Sequence, residues 1–202
     1  MPTPDVYPTA QGPLPRFAEP FAKRARARRH ADFIALFAPD EQMRIVDIGC
    51  GGLGLRGLAP SLDITGVDLV ERPGYPGPFV LADASEGLPF ADAQFDLAYC
   101  NSVIEHVPPA RRAAFAAELR RVARGWYVQT PARSFPIEPH SLLPGAQWLP
   151  AAMRRRYWRL GAQGGWEDVS LLGRGELEEL FGSAERERFG PFTKSWVSVR
   201  LP

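Results

Sequence analysis

Short apolar runs alternate with amphipathic segments along the middle of the chain. Five runs are apolar and end in small or polar residues, as buried parallel strands do: "MRIVDIG", "DITGVDL", "GPFVLAD", "FDLAYCNS" and "GWYVQTP". A short helix is predicted near residues 54–59. A longer helix is predicted in "PPARRAAFAAELRRVA", which starts with proline and places Phe115, Leu119 and Val122 at core spacing. Strands that alternate with helices predict a parallel α/β sheet.

The pattern changes on both sides of this region. Residues 1–15 are rich in proline and predict an extended arm, and residues 17–37 predict a helix that carries "KRARARR". Residues 131–169 mix Pro, Trp and Arg without a clear period, and we interpret them as an inserted cap. Beyond the cap, "GRGELEELFG" predicts a helix, while "AERERFG" and "KSWVSVR" predict a closing strand pair around Gly190 and Pro191.

Length and composition indicate one globular domain with an added N-terminal part. The chain has 202 residues, of which 45% are hydrophobic, enough for one domain with a core. We assign residues 1–42 to the arm and N-terminal helix, and residues 43–202 to the main domain, with the cap insertion at about 131–169. A formal net charge of +1 gives no general attraction to nucleic acid, so we expect no such partner.

The same composition bears on where the protein works. No apolar run reaches the length of a membrane span, and the N-terminus lacks the pattern of a signal peptide. Cys50 and Cys100 are the two cysteines, and neither belongs to a C-x-x-C motif. A disulfide scaffold is therefore not expected, and a reducing cytoplasm fits best.

The turn after the first strand carries the first candidate chemistry. "GCGGLG", from Gly49 to Gly54, fits G-x-G-x-x-G, a pattern that folds tightly beneath a dinucleotide. Asp47 would repel a pyrophosphate but suits a sulfonium ligand that carries an ammonium group. Asp68 ends the second strand and can bind the ribose hydroxyls of NAD or of S-adenosylmethionine. These residues leave both ligands open, and Asp47 favours the second.

Four motifs in order resemble those of class I S-adenosylmethionine-dependent methyltransferases: "VDIGCGGLGL", "GVDL", "LADASEGLPFADAQFDLAYCNSVIEHV" and "RGWYVQTP". They are most similar to the type 11-like group, which shares D-x-G-C-G, and they cover roughly residues 43–130. The resemblance implies a Rossmann-like, mostly parallel sheet of seven strands, with an antiparallel strand in a C-terminal hairpin and a helical cap. It also implies S-adenosyl-L-methionine as the cofactor.

The resemblance implies a cofactor-binding role for each motif. The glycine turn would hold the methionine part, and the second strand would end in the ribose-binding acid and a leucine packed on adenine. The acid after the third strand would bind adenine. The residues after the fourth strand would line the opening of the site, where the methyl group is transferred. In that order the residues are Asp47, Gly49, Cys50, Gly51, Gly52; Asp68, Leu69; Asp83, Ala84; and Asn101, Ser102. The chain departs from G-C-G-x-G at Leu53, so the turn is either shifted by one residue or narrowed by this leucine.

Methyl transfer needs a general base only when the acceptor atom carries a proton, and histidine is the usual candidate. We expect His30, in the basic helix, to be solvated. His106 follows the fourth strand, where a base and a structural role are both open. His140 and Glu138 share a loop restrained by prolines, so His140 is a candidate base or substrate ligand. We take His140, His106 and Glu138 as catalytic candidates. A metal held by the three is a remoter alternative, and we assign no metal ligands.

The cap interleaves large apolar residues with arginines, which leaves three interpretations open. It fits a lid over an apolar substrate or a membrane surface. It also fits an anion clamp, or a helix with one buried face and one solvated arginine face. The residues concerned are Trp148, Leu149, Met153, Tyr157, Trp158 and Leu160, with Arg154, Arg155, Arg156 and Arg159 between them. For "KRARARR" we favour a solvated or partner-binding face over a nucleic-acid patch.

The function predicted from these observations is transfer of a methyl group from S-adenosylmethionine to an oxygen or nitrogen of a small-molecule or lipid-like acceptor. Two alternatives remain. One is an RNA or protein methyltransferase that uses the arginine surfaces, and the other is a protein that binds S-adenosylmethionine without catalysis. The identity of the acceptor and the oligomeric state stay open.

Overall fold

A mixed sheet forms the centre of the molecule. The computed structural model describes residues 24, 27–161 and 169–202, so the predicted arm, the start of the first helix and part of the cap lie outside the described residues. Within them the strands are β1 (Arg44–Ile48), β2 (Asp63–Asp68), β3 (Phe79–Leu81), β4 (Phe95–Asn101), β5 (Ala123–Pro131), β6 (Glu185–Phe189) and β7 (Phe192–Arg200). Their spatial order is β3-β2-β1-β4-β5-β7-β6.

The pairing of these strands confirms the predicted Rossmann-like sheet. The first five strands pair in parallel, whereas β7 runs antiparallel to both β5 and β6. Gly190, with φ of 58°, lies in the tight turn between β6 and β7. The parallel strands all end at one edge, which we call the carboxyl edge. In open α/β sheets ligands bind in the crevice outside this edge.

Helices cover both faces of the sheet. They are α1 (described over 27–37), α2 (Gly54–Leu58), α3 (Arg112–Val122), α4 (Ala151–Trp158) and α5 (Arg174–Phe181). Side chains alternate between faces along a strand. Accordingly, Val46 belongs to the core that contains α3 and α5, whereas Ile45 belongs to the core that contains α1 and α2. None of the described helices combines the length and the apolar character that a bilayer span requires.

The described part of α1 is a layer of the domain. Phe33 is fully buried, and its ring meets Tyr99 and Tyr127 edge-on at centroid distances of 5.2 and 5.9 Å. The basic segment on this helix is only partly solvated, because Arg29 is buried. The expectation of a solvated His30 is wrong as well. This side chain is half-buried, its Nε2 has no partner within the described chain, and burial lowers its pKa.

Candidate active site

The glycine turn after β1 is pinned to the neighbouring strand. The backbone N–H groups of Gly49 and Cys50 both donate to the carbonyl of Val67, at 2.8 and 3.1 Å. Gly49 has φ of 73°, and a Cβ there would stand 2.3 Å from a methyl carbon of Val103. Gly51 has φ of 60°. The turn therefore needs glycine for its backbone conformation and, at Gly49, for the close approach of the segment after β4.

Asp47 lies beneath this turn and is almost fully buried. Its Oδ2 accepts a hydrogen bond of 2.6 Å from the N–H of Leu55 in the first turn of α2. A Cβ on Gly54, which has φ of 51°, would stand 2.2 Å from the same oxygen. The glycine requirement thus falls on Gly54, one residue after Leu53, and Leu53 packs along α2 against Gly57. This arrangement favours the shifted turn over a narrowed site.

Burial changes the acidity of Asp47. The pKa of this carboxyl is raised to about 7, mainly by desolvation. The hydrogen bond from Leu55 lowers the pKa, and the nearby charge of Asp68 raises it. A cationic ligand next to Asp47 would stabilise the carboxylate and reverse this shift.

Asp68 joins the end of β2 to the glycine turn. Its Oδ2 accepts from the N–H of Gly51 at 2.9 Å, and its Oδ1 accepts from the N–H of Val70 at 3.0 Å. The guanidinium of Arg72 donates to both carboxylate oxygens, at 3.2 and 3.3 Å. Leu69 lies beside it with 66% of its surface exposed. The sequence analysis did not predict the pairing of Arg72 with Asp68, although their separation of four residues could have indicated it.

Asp83 forms the next acidic corner, after β3. Its Oδ1 accepts from the N–H and the hydroxyl of Ser85 at 2.8 and 2.6 Å, and Arg111 donates to its Oδ2 at 3.1 Å. Burial opposes ionisation, but these hydrogen bonds and the Arg111 charge outweigh it and lower the pKa of Asp83. Ala84 is buried beside it. The corner therefore presents an ionised carboxylate at the carboxyl edge.

Asn101 and Ser102 lie where β4 ends. Ser102 has φ of 58°, which a non-glycine residue rarely adopts, and its hydroxyl donates to Oε1 of Gln129 at 3.0 Å. Arg29 donates to Oδ1 of Asn101 at 3.2 Å and forms an ion pair with Glu187 at 3.1 Å. Sequence reasoning missed this role because Arg29 lies within a basic run. Its spacing of four residues from the apolar Phe33 is the signal that places it on the buried face.

Glu138 lies inside its own loop after β5. The side chain is buried, and its Oε2 accepts from the N–H of His140 at 2.9 Å and from the hydroxyl of Ser141 at 2.8 Å. Its Oε1 lies 2.8 Å from Nδ1 of His140. Burial opposes ionisation, but the hydrogen bond and charge of His140 outweigh it and lower the pKa of Glu138. Glu138 is thus placed as a carboxylate that orients His140, and its catalytic role stays a prediction.

His106 and His140 come together across two loops. Their rings meet edge-to-face with centroids 4.9 Å apart. Desolvation of the ring and the neighbouring charge of His140 lower the pKa of His106 to about 4, although the side chain also reaches the surface, so this imidazole is neutral near pH 7. Glu105 is fully buried next to them; its Oε2 accepts from the hydroxyl of Thr130 at 3.0 Å. From sequence, the resemblance implied only a structural role for Glu105, because nothing local shows that the loop after β5 returns to it.

Side-chain contacts anchor helix α4 in the described part of the cap. Trp158 is the buried side chain of α4, and Arg154 donates to the carbonyl of Val169 at 3.3 Å. Trp148, Met153 and Leu160 have 55%, 58% and 70% of their surface exposed. The arrangement shows how α4 is anchored, and the lid, membrane-contact and clamp interpretations stay predictions.

The fold and the site together define a class of protein. A parallel sheet with a glycine turn after β1 and an acid at the end of β2 is a Rossmann-like cofactor-binding domain. A family model described as "Methyltransferase domain" matches residues 46–125, from β1 into β5. Residues 46–125 are thus similar to this methyltransferase family, and together with the fold they support a class I S-adenosylmethionine-dependent methyltransferase with S-adenosylmethionine as the cofactor. The resemblance in the motifs is confirmed.

Solved structures share this fold at low sequence identity. The PH0226 protein of Pyrococcus horikoshii OT3 is 17% identical with a TM-score of 0.60, covering 89% of this chain and 91% of its own. Magnesium protoporphyrin IX methyltransferase of Synechocystis PCC 6803, with bound S-adenosylmethionine, is 16% identical with a TM-score of 0.59, covering 97% and 88%. The 1,6-didemethyltoxoflavin-N1-methyltransferase of Burkholderia thailandensis is 16% identical with a TM-score of 0.53, covering 96% and 91%. No curated protein matches the chain.

Proposed function

We propose that the chain transfers a methyl group from S-adenosylmethionine to an oxygen or nitrogen of a small-molecule acceptor. The observation that carries the proposal is the placement of two sets of residues after the parallel strands. The glycine turn and its acids follow β1, β2 and β3. The pair formed by Glu138 and His140 follows β5, and it meets His106 after β4. One set suits a cationic adenosyl cofactor, and the other suits an acceptor that must lose a proton.

In the proposed complex the acids of the carboxyl edge bind the cofactor. Asp47 faces the cationic methionine part, which compensates its buried charge. Asp68 exchanges its contacts with Arg72 for the two ribose hydroxyls, and Leu69 covers the adenine. Asp83 accepts from the adenine amino group. The remaining contacts come from Gly49, Cys50, Gly51, Gly52, Ala84, Asn101 and Ser102.

The proposed chemistry is a direct displacement at the methyl carbon. The lone pair of the acceptor atom forms the new bond to carbon while the bond from carbon to sulfur breaks, which leaves S-adenosylhomocysteine. Without a bound ion, His140 takes the proton of the acceptor as a general base. The carboxylate of Glu138, 2.8 Å away, then stabilises the imidazolium that forms. His106, neutral near pH 7, lines the same site.

Charge pairing on the protein supports a small acceptor over RNA. Arg111 pairs with Asp83, and Arg112 pairs with Glu176. Arg121 pairs with the carboxylates of Asp92 and Glu118. Arginines engaged in this way do not form a stripe for a phosphate backbone. The exposed apolar side chains of the cap favour an apolar or lipid-like acceptor, with contact to a membrane surface as one route to it.

We infer a cytoplasmic location for this reaction, since thiols stay reduced in that compartment. Cys50 and Cys100 are both buried and both unpaired. Burial, with the neighbouring charges of Asp47 and Asp68, raises the pKa of Cys50 to about 12, and burial raises the pKa of Cys100 well above its usual value. Neither thiol is suited to disulfide exchange, which needs the thiolate.

Calorimetric titration with S-adenosylmethionine, S-adenosylhomocysteine and NAD tests the proposal. We expect micromolar binding of both adenosyl ligands, none of NAD, and a loss of at least tenfold in Asp68→Ala, because the ribose loses its acceptor. Asp63→Ala is the matched control, since this exposed acid starts the same strand at the opposite edge. Absence of adenosyl binding would refute the proposal. With a panel of acceptors, His140→Gln should keep cofactor binding and lose product formation.

A further inference from the structure

We propose that Glu105, His106 and His140 bind one divalent transition-metal ion of the zinc class. One ligand atom from each residue lies within 4.8 Å of the others. Among the described residues this is the one group of three such side chains that comes together. The binding of the ion is independent of methyl transfer, while its effect on the acceptor rests on the proposed function.

The donor set matches the preference of such an ion. Two imidazoles and one carboxylate, with a further position open, form a known arrangement for catalytic zinc and related metals. Bonds of about 2.0–2.2 Å place tetrahedral ligand atoms roughly 3.3 Å apart. The cluster therefore needs to contract by no more than about 1.5 Å. Side-chain rotations of His106 and His140 can supply this, since neither ring is fully buried, whereas Glu105 stays fixed.

The carboxylate of Glu105 provides an independent observation. This side chain has no exposed surface, and its Oε2 is occupied by the hydroxyl of Thr130. Its Oε1 is buried and lacks a hydrogen-bond partner in the described part of the chain. A buried carboxylate oxygen without a partner is costly. A cation at the cluster would supply the missing interaction.

The loop after β5 holds one ligand in the required orientation. Oε1 of Glu138 lies 2.8 Å from Nδ1 of His140, so His140 would bind the ion through Nε2. A carboxylate behind a metal-binding imidazole fixes both the tautomer and the ring direction. Glu138 is itself held by the backbone N–H groups of His140 and Ser141. Glu138 thus supports the ligand His140 and is not itself a ligand. The proposed set differs in this respect from the set of Glu138, His140 and His106 considered from sequence.

The position of the ion indicates the class of acceptor. A three-ligand site leaves at least one position for an oxygen of the acceptor, and a bound metal ion lowers the pKa of a hydroxyl group that it coordinates. With the ion present, His140 would act as a ligand, and the coordinated hydroxyl would release its proton to solvent before its oxygen accepts the methyl group. The acceptor would then carry a hydroxyl or carboxylate oxygen at or beside the methylated atom.

Metal titration of the untagged, chelator-treated protein tests this site. We expect calorimetry to show one Zn²⁺ per chain, and Co²⁺ to give the intense visible absorption of a four- or five-coordinate site. Glu105→Gln, His106→Ala and His140→Ala should each weaken Zn²⁺ binding by at least tenfold, and Glu138→Gln by about 10–100-fold. His30→Ala is the matched control, because it removes the histidine outside the cluster, and it should leave the affinity unchanged.

Several outcomes would overturn the proposal. They are no stoichiometric binding of Zn²⁺, equal loss in His30→Ala, or unchanged affinity in the three ligand variants. Near-UV circular dichroism and S-adenosylhomocysteine binding show whether each variant is folded. His106→Ala gives a conclusive result even if Glu105→Gln fails to fold, because His106 is exposed. In the wild-type protein, absent Zn²⁺ binding with intact adenosyl binding refutes only the metal site, whereas absent adenosyl binding with intact Zn²⁺ binding refutes only the proposed function.

Discussion

Three glycines in the turn after β1 have a left-handed backbone, and Gly54 among them stands against a buried charge. Its φ is 51°, and a Cβ there would lie 2.2 Å from Oδ2 of Asp47. The carboxylate oxygen cannot move away without cost, since it also accepts a hydrogen bond from the N–H of Leu55. The turn therefore couples its own shape to the position of the acid beneath it.

Gly54→Ala should lower the free energy of unfolding by about 2–4 kcal/mol, from backbone strain together with the clash at Asp47. Gly52→Ala is the matched control, because Gly52 lies two residues away and its Cβ would meet nothing within 4 Å. We expect this control to change stability by less than about 1 kcal/mol. Urea unfolding of the three proteins measures the difference. Equal stability of the two variants would contradict the described geometry of the turn.

The position of a site residue could be predicted from the sequence only where neighbouring residues in the chain determine it. Asp47 and Asp68 lie in the last residues of β1 and β2, and Asp83 comes shortly after β3, so the sequence could place them at the carboxyl edge. Arg29 and Glu105 could not be placed in the same way, because their contacts join segments far apart in the chain: Arg29 meets Asn101 and Glu187, and Glu105 lies beside His140. Such contacts depend on how loops fold back, which hydrophobic periodicity does not encode.

Helix α1 shows how one element outside the matched region completes the domain. Its apolar face covers the side of the sheet formed by β4 and β5, where Phe33 contacts Tyr99 and Tyr127. The same helix carries Arg29 to the end of β4. One surface of α1 therefore contributes both core packing and a polar contact next to the proposed cofactor mouth.

Phe33→Ala should destabilise the protein by about 3–5 kcal/mol, because it empties a fully buried ring position beneath two tyrosines. Leu36→Ala on the same helix removes a side chain that is 49% exposed, and it should cost less than about 1 kcal/mol. Thermal or chemical unfolding compares the two. A small effect of Phe33→Ala would mean that α1 is an appendage to the sheet and not a layer of it.

Elements with a strong period were predictable, and their ends were less so. The order of strands and helices, the antiparallel closing pair and its turn at Gly190 follow from the pattern of apolar residues. β5 begins at Ala123, two residues before the predicted run, since α3 passes directly into it. In the last strand pair the register shifts between Glu187 and Arg188. Neither detail has a signature in hydrophobicity, because backbone pairing decides both.

At the scale of the whole molecule, the buried acid beneath the glycine turn links stability to pH. The pKa of Asp47 is about 7 in the folded chain and near 3.8 when exposed, so the folded state binds this proton more tightly. The stability that the proton contributes is complete below pH 4 or so and is lost as the pH rises to about 7.

Asp47→Asn keeps an oxygen that can accept from Leu55 and removes the titration. Relative to this variant, the wild-type protein should lose about 2–3 kcal/mol of unfolding free energy between pH 5 and pH 7.5. Urea unfolding at both pH values measures the difference, with Asp63→Asn, an exposed acid, as the control. Parallel pH dependences of wild type and Asp47→Asn would show that Asp47 ionises normally.

The burial of Cys50 and Cys100 also makes the protein suitable for spectroscopic labelling. Neither thiol is at the surface, and the raised pKa of each keeps the reactive thiolate scarce at neutral pH. A cysteine introduced on the exposed side of α4, such as Met153→Cys, would then be the site that maleimide reagents modify first. A fluorophore or spin label attached there would report directly whether the cap moves when the cofactor and acceptor bind.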